Sequence, residues 1–176
     1  MKLTPHDALR PARGFTLIEM LVVISIITIL AGLVLGALGT ARRISKEHAT
    51  EATLILLKGA LERYEEDFQD YPPSEGDLTG IRGSEGLWRC LRTDKKNGPY
   101  IEPADVRTCD SNGNGELEVA DSWNRPIRYL HHRDYQSRNP MKHSYRLLSA
   151  GSNGNFEDGI KTSDDIVNWD KSKPEK

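Results

Sequence analysis

The sequence predicts an α+β fold: a long N-terminal helix packed on a small antiparallel sheet domain with long loops. Three observations predict it. Eighteen of the 24 residues Phe15–Leu38 are apolar. Leu54, Leu57, Leu61, Tyr64 and Phe68 then recur at helical spacing, which describes one face of a continuing helix. Further on, two short alternating stretches are set among segments rich in Gly, Asn, Asp, Ser and Pro, the pattern of strands joined by loops.

The apolar run reads FTLIEMLVVISIITILAGLVLGAL. As a helix it is about 36 Å long, enough to cross a hydrocarbon core of roughly 30 Å with some tilt. Lys2, Arg10 and Arg13 precede it and Arg42, Arg43 and Lys46 follow it, so flanking charge alone does not orient it. The habit of the N-terminal flank to dominate favours a cytoplasmic N-terminus. A secretory signal peptide, with Ala37-Leu38-Gly39 as the cleavage site, fits less well, because the run is longer than such regions and contains Glu19. A plain membrane anchor is the stronger alternative. Glu19 separates these readings, since a carboxylate in an apolar span costs about 2.5–3.5 kcal/mol at mid-helix and normally has a partner or a task.

The second helical stretch places Glu62, Glu65, Glu66 and Asp70 opposite its apolar stripe, and Tyr71-Pro72-Pro73 ends it. Gly83–Arg92 suits a short second helix. Pro126–His131 and His143–Ser149 suit an antiparallel strand pair. The formal charge is -2 overall. Since residues 1–14 are net basic, the remainder is acidic and gives no reason to expect a nucleic-acid partner. No Walker loop, G-x-S-x-G, H-E-x-x-H or paired-cysteine zinc pattern is present, so the sequence offers no active site and an enzyme is not expected.

Arg13-Gly14-Phe15-Thr16-Leu17-Ile18-Glu19, followed by the apolar run, resembles the cleavage motif of type IV prepilins and pseudopilins. The body adds a helix ending in Tyr-Pro, the Asp121-Ser122-Trp123-Asn124 turn, the loop Leu148-Ser149-Ala150-Gly151-Ser152-Asn153-Gly154, and the ending Ser163-Asp164-Asp165-Ile166-Val167-Asn168-Trp169. Together they resemble the major pseudopilin of type II secretion over most of Arg13–Trp169, with an inserted region near Thr93–Val119. The family often has proline where this chain has Gly36.

The resemblance implies a pilin-like division: a cleaved cytoplasmic leader over 1–14, a transmembrane and assembly helix over 15–38, its amphipathic continuation over 39–71, a globular domain over 72–170 and a frayed tail over 171–176. It implies cleavage between Gly14 and Phe15, N-methylation of Phe15, and Glu19 as the counter-ion of a neighbouring subunit's new amine. The implied partners are copies of this chain, other pseudopilins, a prepilin peptidase, an inner-membrane assembly platform and the bilayer. The implied location is the bacterial inner membrane, single-pass, with the C-terminal domain in the periplasm. A pilin of a surface fibre for adhesion or DNA uptake, and a membrane-anchored calcium module that does not polymerise, are the alternatives. The Asp-Asp-Ile-x-x-Trp ending favours the pseudopilin over the surface pilin.

The family also implies Ca²⁺ in the C-terminal loop. Candidate ligands are Leu148 through its main chain, Asn153, Glu157, Asp158, Asp164 and Asp165, an oxygen set of the kind calcium takes. Asn153 stands where the family tends to have aspartate. A weaker second candidate is Asp110, Asn112, Asn114, Glu116 and Asp121, which follows the D-x-[DN]-x-[DN]-G loop pattern with aspartate at position 12. Metal-free Asx turns make the same string, and Asp121 is also part of the Asp-x-Trp turn. Cys90 and Cys109 form a possible disulfide, with two free thiols the alternative. His131, His132 and His143 come near one another if the strands pair, and a structural role is favoured there over a metal site.

Overall fold

The computed structural model describes residues 14–74, 81–134, 144–157, 162–169 and 171. Residues 1–13, which include the expected leader's Arg13, together with Asp158, His143 and most of the expected tail, therefore lie outside the described residues. The chain divides into two compact units, residues 1–41 and 42–176.

Helix α1 runs Leu17–Phe68. Thr16 and Glu19 start it as a capping box. The Glu19 carboxylate accepts the Thr16 amide at 2.8 Å and the Thr16 hydroxyl at 2.7 Å, while the Glu19 amide reaches back to Thr16 Oγ1 at 3.3 Å. The helix ends three residues before the expected Tyr71. Gln69 takes a left-handed conformation at φ 61° and its amide donates to the Glu65 carbonyl at 2.7 Å, which closes the last turn.

In the second unit, the expected stripe is the core face. Leu54, Leu57, Ala60 and Leu61 are buried, with Tyr64 and Phe68 half-buried beside them. Tyr64 and Phe68 stack at 4.4 Å, and Tyr100 meets Tyr64 edge-on at 5.5 Å. Helix α2, Ile81–Leu91, matches the expected short helix and contributes Leu87, Trp88 and Leu91 to the same core.

Strands β1, Arg107–Cys109, and β2, Glu118–Ala120, pair as an antiparallel ribbon inside the inserted region. Strands β3, Arg128–His131, and β4, Tyr145–Ser149, are the two expected strands, each slightly shorter than its alternating stretch. They pair antiparallel, and β5, Ile166–Val167, adds to the far edge of β4. Tyr129 and Leu147, partners across β3 and β4, are fully buried. Tyr129 anchors the sheet to the chain leaving α1 by donating its hydroxyl to the Pro72 carbonyl at 2.6 Å.

Candidate functional site

The first unit holds the residues expected to serve processing and assembly. Gly14 has open space around its Cα and Phe15 is 72% exposed. An 18-residue window of α1 has mean hydropathy 2.8 and none of it is buried. The polar groups of this stretch are satisfied locally: Ser25 Oγ donates to the Leu21 carbonyl at 2.8 Å and Thr28 Oγ1 to Ile24 at 2.7 Å. That is how hydroxyls are tolerated where water is absent. Gly36 lies within the helical span of α1.

The C-terminal loop brings several predicted calcium residues together in the second unit. Asp164 Oδ2 accepts Ser152 Oγ at 2.7 Å and the Asn153 amide at 2.8 Å. Burial pushes the Asp164 carboxyl up, but the bonds from Ser152 and Asn153 outweigh it and hold the carboxyl below its ordinary value. Asp164 Oδ1 is buried, and among the described residues no group donates to it. Asp165 is buried, and its Oδ2 accepts the Glu157 amide at 2.9 Å. Gly151, at φ +58°, lets the loop approach the backbone of Asp164: a Cβ there would stand 2.1 Å from the Asp164 carbonyl oxygen. Asn153 turns its side-chain oxygen to the Asn155 amide at 2.6 Å. Leu148 sits within β4, paired with Arg128 and Val167. A buried carboxylate oxygen without a donor beside a second buried carboxylate suits a hard cation, so the residues fit calcium. Asp164 and Asp165 are its strongest prospective ligands.

The second candidate is not assembled as its spacing suggested. Asp110 Oδ1 accepts the amides of Gly113 and Asn114 at 2.7 and 3.1 Å, and Oδ2 that of Gly115 at 3.0 Å. Asn112 and Asn114 both donate their side-chain amides to Glu85 Oε1, at 2.8 and 2.9 Å. Glu116 offers its amide to Asn114 Oδ1 at 2.8 Å. Asp121 is absent from the loop because the ribbon register pairs Cys109 with Glu118 and Arg107 with Ala120, which sets Asp121 at the opposite end of the ribbon. There Asp121 is buried and organises the Asp-x-Trp turn. Its Oδ1 accepts the amides of Trp123 and Arg125 at 2.8 and 3.0 Å, and its Oδ2 the Ser149 hydroxyl at 2.8 Å. Strands, not helices, flank the loop.

The family described as "Prokaryotic N-terminal methylation motif" matches residues 9–35. Three relatives named "Type II secretion system core protein G" align with nearly the whole chain. That of Escherichia coli (strain K12) is 33% identical over 93% of this chain and 95% of its own length. That of Klebsiella pneumoniae is 30% identical over 89% and 94%, and that of Pectobacterium carotovorum subsp. carotovorum 29% over 92% and 86%. The chain belongs to the type II secretion core protein G family.

Within this pseudopilin the possible disulfide is not formed, and Cys90 and Cys109 are both thiols. Cys109 Sγ instead faces Glu118 Oε2 at 3.8 Å, and burial, with the neighbouring Glu118 charge, pushes its thiol up to about 11. Three residues have roles that the sequence reading missed. Glu118 is fully buried and holds Ser111 through its amide at 3.0 Å and its hydroxyl at 2.7 Å. Arg125 donates to the Gly151 carbonyl at 2.9 Å, in the C-terminal loop. The signal available for it was Gly154, where a Cβ would lie 2.5 Å from the Arg125 guanidinium. Thr50, buried on α1, accepts the Ser122 amide at 3.1 Å and ties the helix to the Asp-x-Trp turn.

Proposed function

We propose that this chain is a structural, non-enzymatic subunit of a type II secretion pseudopilus. A prepilin peptidase removes residues 1–14 and methylates Phe15. The mature chains then stack by their apolar helices, with other pseudopilins and on an inner-membrane platform, into a periplasmic filament that drives protein export. Before assembly the helix lies in the bilayer with its N-terminus cytoplasmic and the C-terminal domain in the periplasm.

The observation that carries this reading is the Gly14–Phe15–Glu19 constellation at the head of a helix whose apolar surface is exposed among the described residues. Cleavage leaves a protonated amine two residues before Leu17, where the helix dipole is also positive. That amine needs an anion, and a carboxylate sits one turn away. When helices stack with an axial offset, Glu19 can leave Thr16 and meet the amine of the next subunit. Such a pair stabilises weakly, but it fixes register because every misplaced charge is left unpaired. Glu19→Ala should still insert into the membrane and fail to assemble, read by fractionation and by filament recovery. Normal filaments from that variant contradict the mechanism.

Calcium in the C-terminal loop is the second part of the proposal, supported by the buried, donor-free Asp164 Oδ1. Bound there, the cation would supply the positive charge that links loop 150–157 to Asp164 and Asp165. The full chain in detergent should gain about 2.7 kcal/mol of stability at free Ca²⁺ a hundred times its Kd. Asp164→Ala should lose that gain. No heat and no Tm shift at millimolar Ca²⁺ would remove calcium from the account.

A further inference from the structure

We propose that Asp70, His131 and His132 form a binding site for one divalent cation of the zinc type. They come from two separate places in the sequence. Asp70 follows Gln69, the residue that closes α1, whereas His131 ends β3 and His132 follows it. Their ligand atoms lie within 4.8 Å of one another. His131 is buried, with Nε2 3.1 Å from Asp70 Oδ1 across 61 positions of sequence. The rings of His131 and His132 face each other at 4.1 Å between centroids. Sequence alone favours a structural role for these histidines; the carboxylate delivered by the end of α1 completes a ligand set.

The backbone around the site is fixed before any ion arrives. The His131 amide donates to Ser74 Oγ at 2.9 Å, and Ser74 in turn donates to Asp134. The His132 amide donates to the Ser144 carbonyl at 3.0 Å, and the Asp134 amide to the His131 carbonyl at 2.9 Å. Both imidazoles therefore hang from restrained positions, which is what outer partners contribute to a metal site.

Two imidazoles with one carboxylate form a mixed nitrogen and oxygen set suited to Zn²⁺ and its transition-metal neighbours, whereas Ca²⁺ requires oxygen throughout. This site therefore selects a different ion from the C-terminal loop. Tetrahedral bonds of 2.0–2.1 Å place ligand atoms about 3.3 Å apart, so side-chain rotation closes the cluster without moving the backbone. The His131 ring now receives the Arg133 amide on Nδ1 at 3.3 Å, so a neutral ring holds its proton on Nε2, facing Asp70. Metal on Nε2 shifts that proton to Nδ1, and the Arg133 amide turns away. The Arg133 guanidinium, 2.7 Å from Asp70 Oδ2, must also give ground; its side chain is 71% exposed and can withdraw into water. The ion would clasp the end of α1 to the end of β3. The inference stands independently of the pseudopilin reading.

The test is equilibrium dialysis of the chelator-stripped full chain in detergent against ZnCl₂ with excess Ca²⁺, followed by metal analysis. One Zn²⁺ per chain is expected, with affinity lowered by about tenfold or more in both His132→Gln and Asp70→Asn. Failure to take up zinc, or uptake unchanged in both variants, overturns the proposal. Co²⁺ in the unmodified chain guards against misfolded variants. Visible d–d bands without a thiolate charge-transfer band support the site, and a thiolate band assigns the metal to cysteine and overturns it.

Discussion

The two ends of α1 carry apolar residues in different arrangements. Over Leu54–Phe68 most of them fall on one stripe, and the stripe is core: Leu57 and Leu61 are fully buried while Ile55, off the stripe, is 69% exposed. Over Leu17–Leu38 they occupy every face, and the large ones stay exposed within the single chain. A one-sided helix is completed by its own domain. A helix that is apolar all round requires another apolar environment, either lipid or other helices. The difference teaches that the first half of α1 is an interaction surface in its entirety, and it explains why the rest of the chain is comparatively poor in apolar residues.

This contrast can be broken by paired truncations. Leu57→Ala should destabilise the second unit by about 2–5 kcal/mol, because a buried leucine leaves both lost burial and a cavity. Leu30→Ala, at a position 56% exposed, should leave that unfolding transition within about 0.5 kcal/mol of the parent while weakening filament assembly. Denaturant unfolding and filament recovery check the pair. Equal destabilisation by both substitutions would mean that the two halves are not functionally distinct.

A smaller, pH-dependent effect sharpens the account of the second unit. The Tyr100 hydroxyl donates to Asp67 at 2.5 Å, and Asn97 donates to the same carboxylate through its amide and its side chain. The bond from Tyr100 holds the Asp67 carboxyl below its ordinary value. Burial first, and then the Asp67 bond, push the Tyr100 phenol up to about 12. The depressed carboxyl contributes stability above the ordinary carboxylate value, and that contribution is lost as pH falls through its lower folded value. The raised phenol contributes stability below its ordinary value of 10.0, lost as pH rises through about 12. The Tm of the parent should therefore exceed that of Tyr100→Phe most clearly between neutral and mildly alkaline pH, and the two should converge toward both extremes. A constant gap at all pH values would contradict this origin.

The architecture was legible wherever local pattern and tertiary packing agreed. The core stripe of α1, helix α2 and the β3–β4 pair followed from the spacing of residues such as Leu57, Leu87 and Tyr129, because periodic burial is written directly into sequence. The β1–β2 ribbon and β5 were not legible, since strands of three and two residues leave no alternation to read. Their register nevertheless decided the second calcium candidate: spacing placed Asp121 at position 12 of a loop, and strand pairing carried it to the far end of the ribbon. The capping box of Thr16 and Glu19 was readable as T-x-x-E before an apolar run, but the assembly role of Glu19 drew attention first. Glu118 depends on the turn that brings Ser111 back to it across seven positions, and Arg125 and the meeting of Asp70 with His131 depend on contacts across 26 and 61 positions, which residue spacing does not encode.

The central claim is that residue 15 becomes the first residue of an assembly helix. Mass spectrometry of the N-terminal peptide from membrane-extracted chain tests it most directly. The account predicts a chain beginning at N-methylated Phe15. A chain beginning at Thr40, as a cleaved signal peptide would leave, contradicts it.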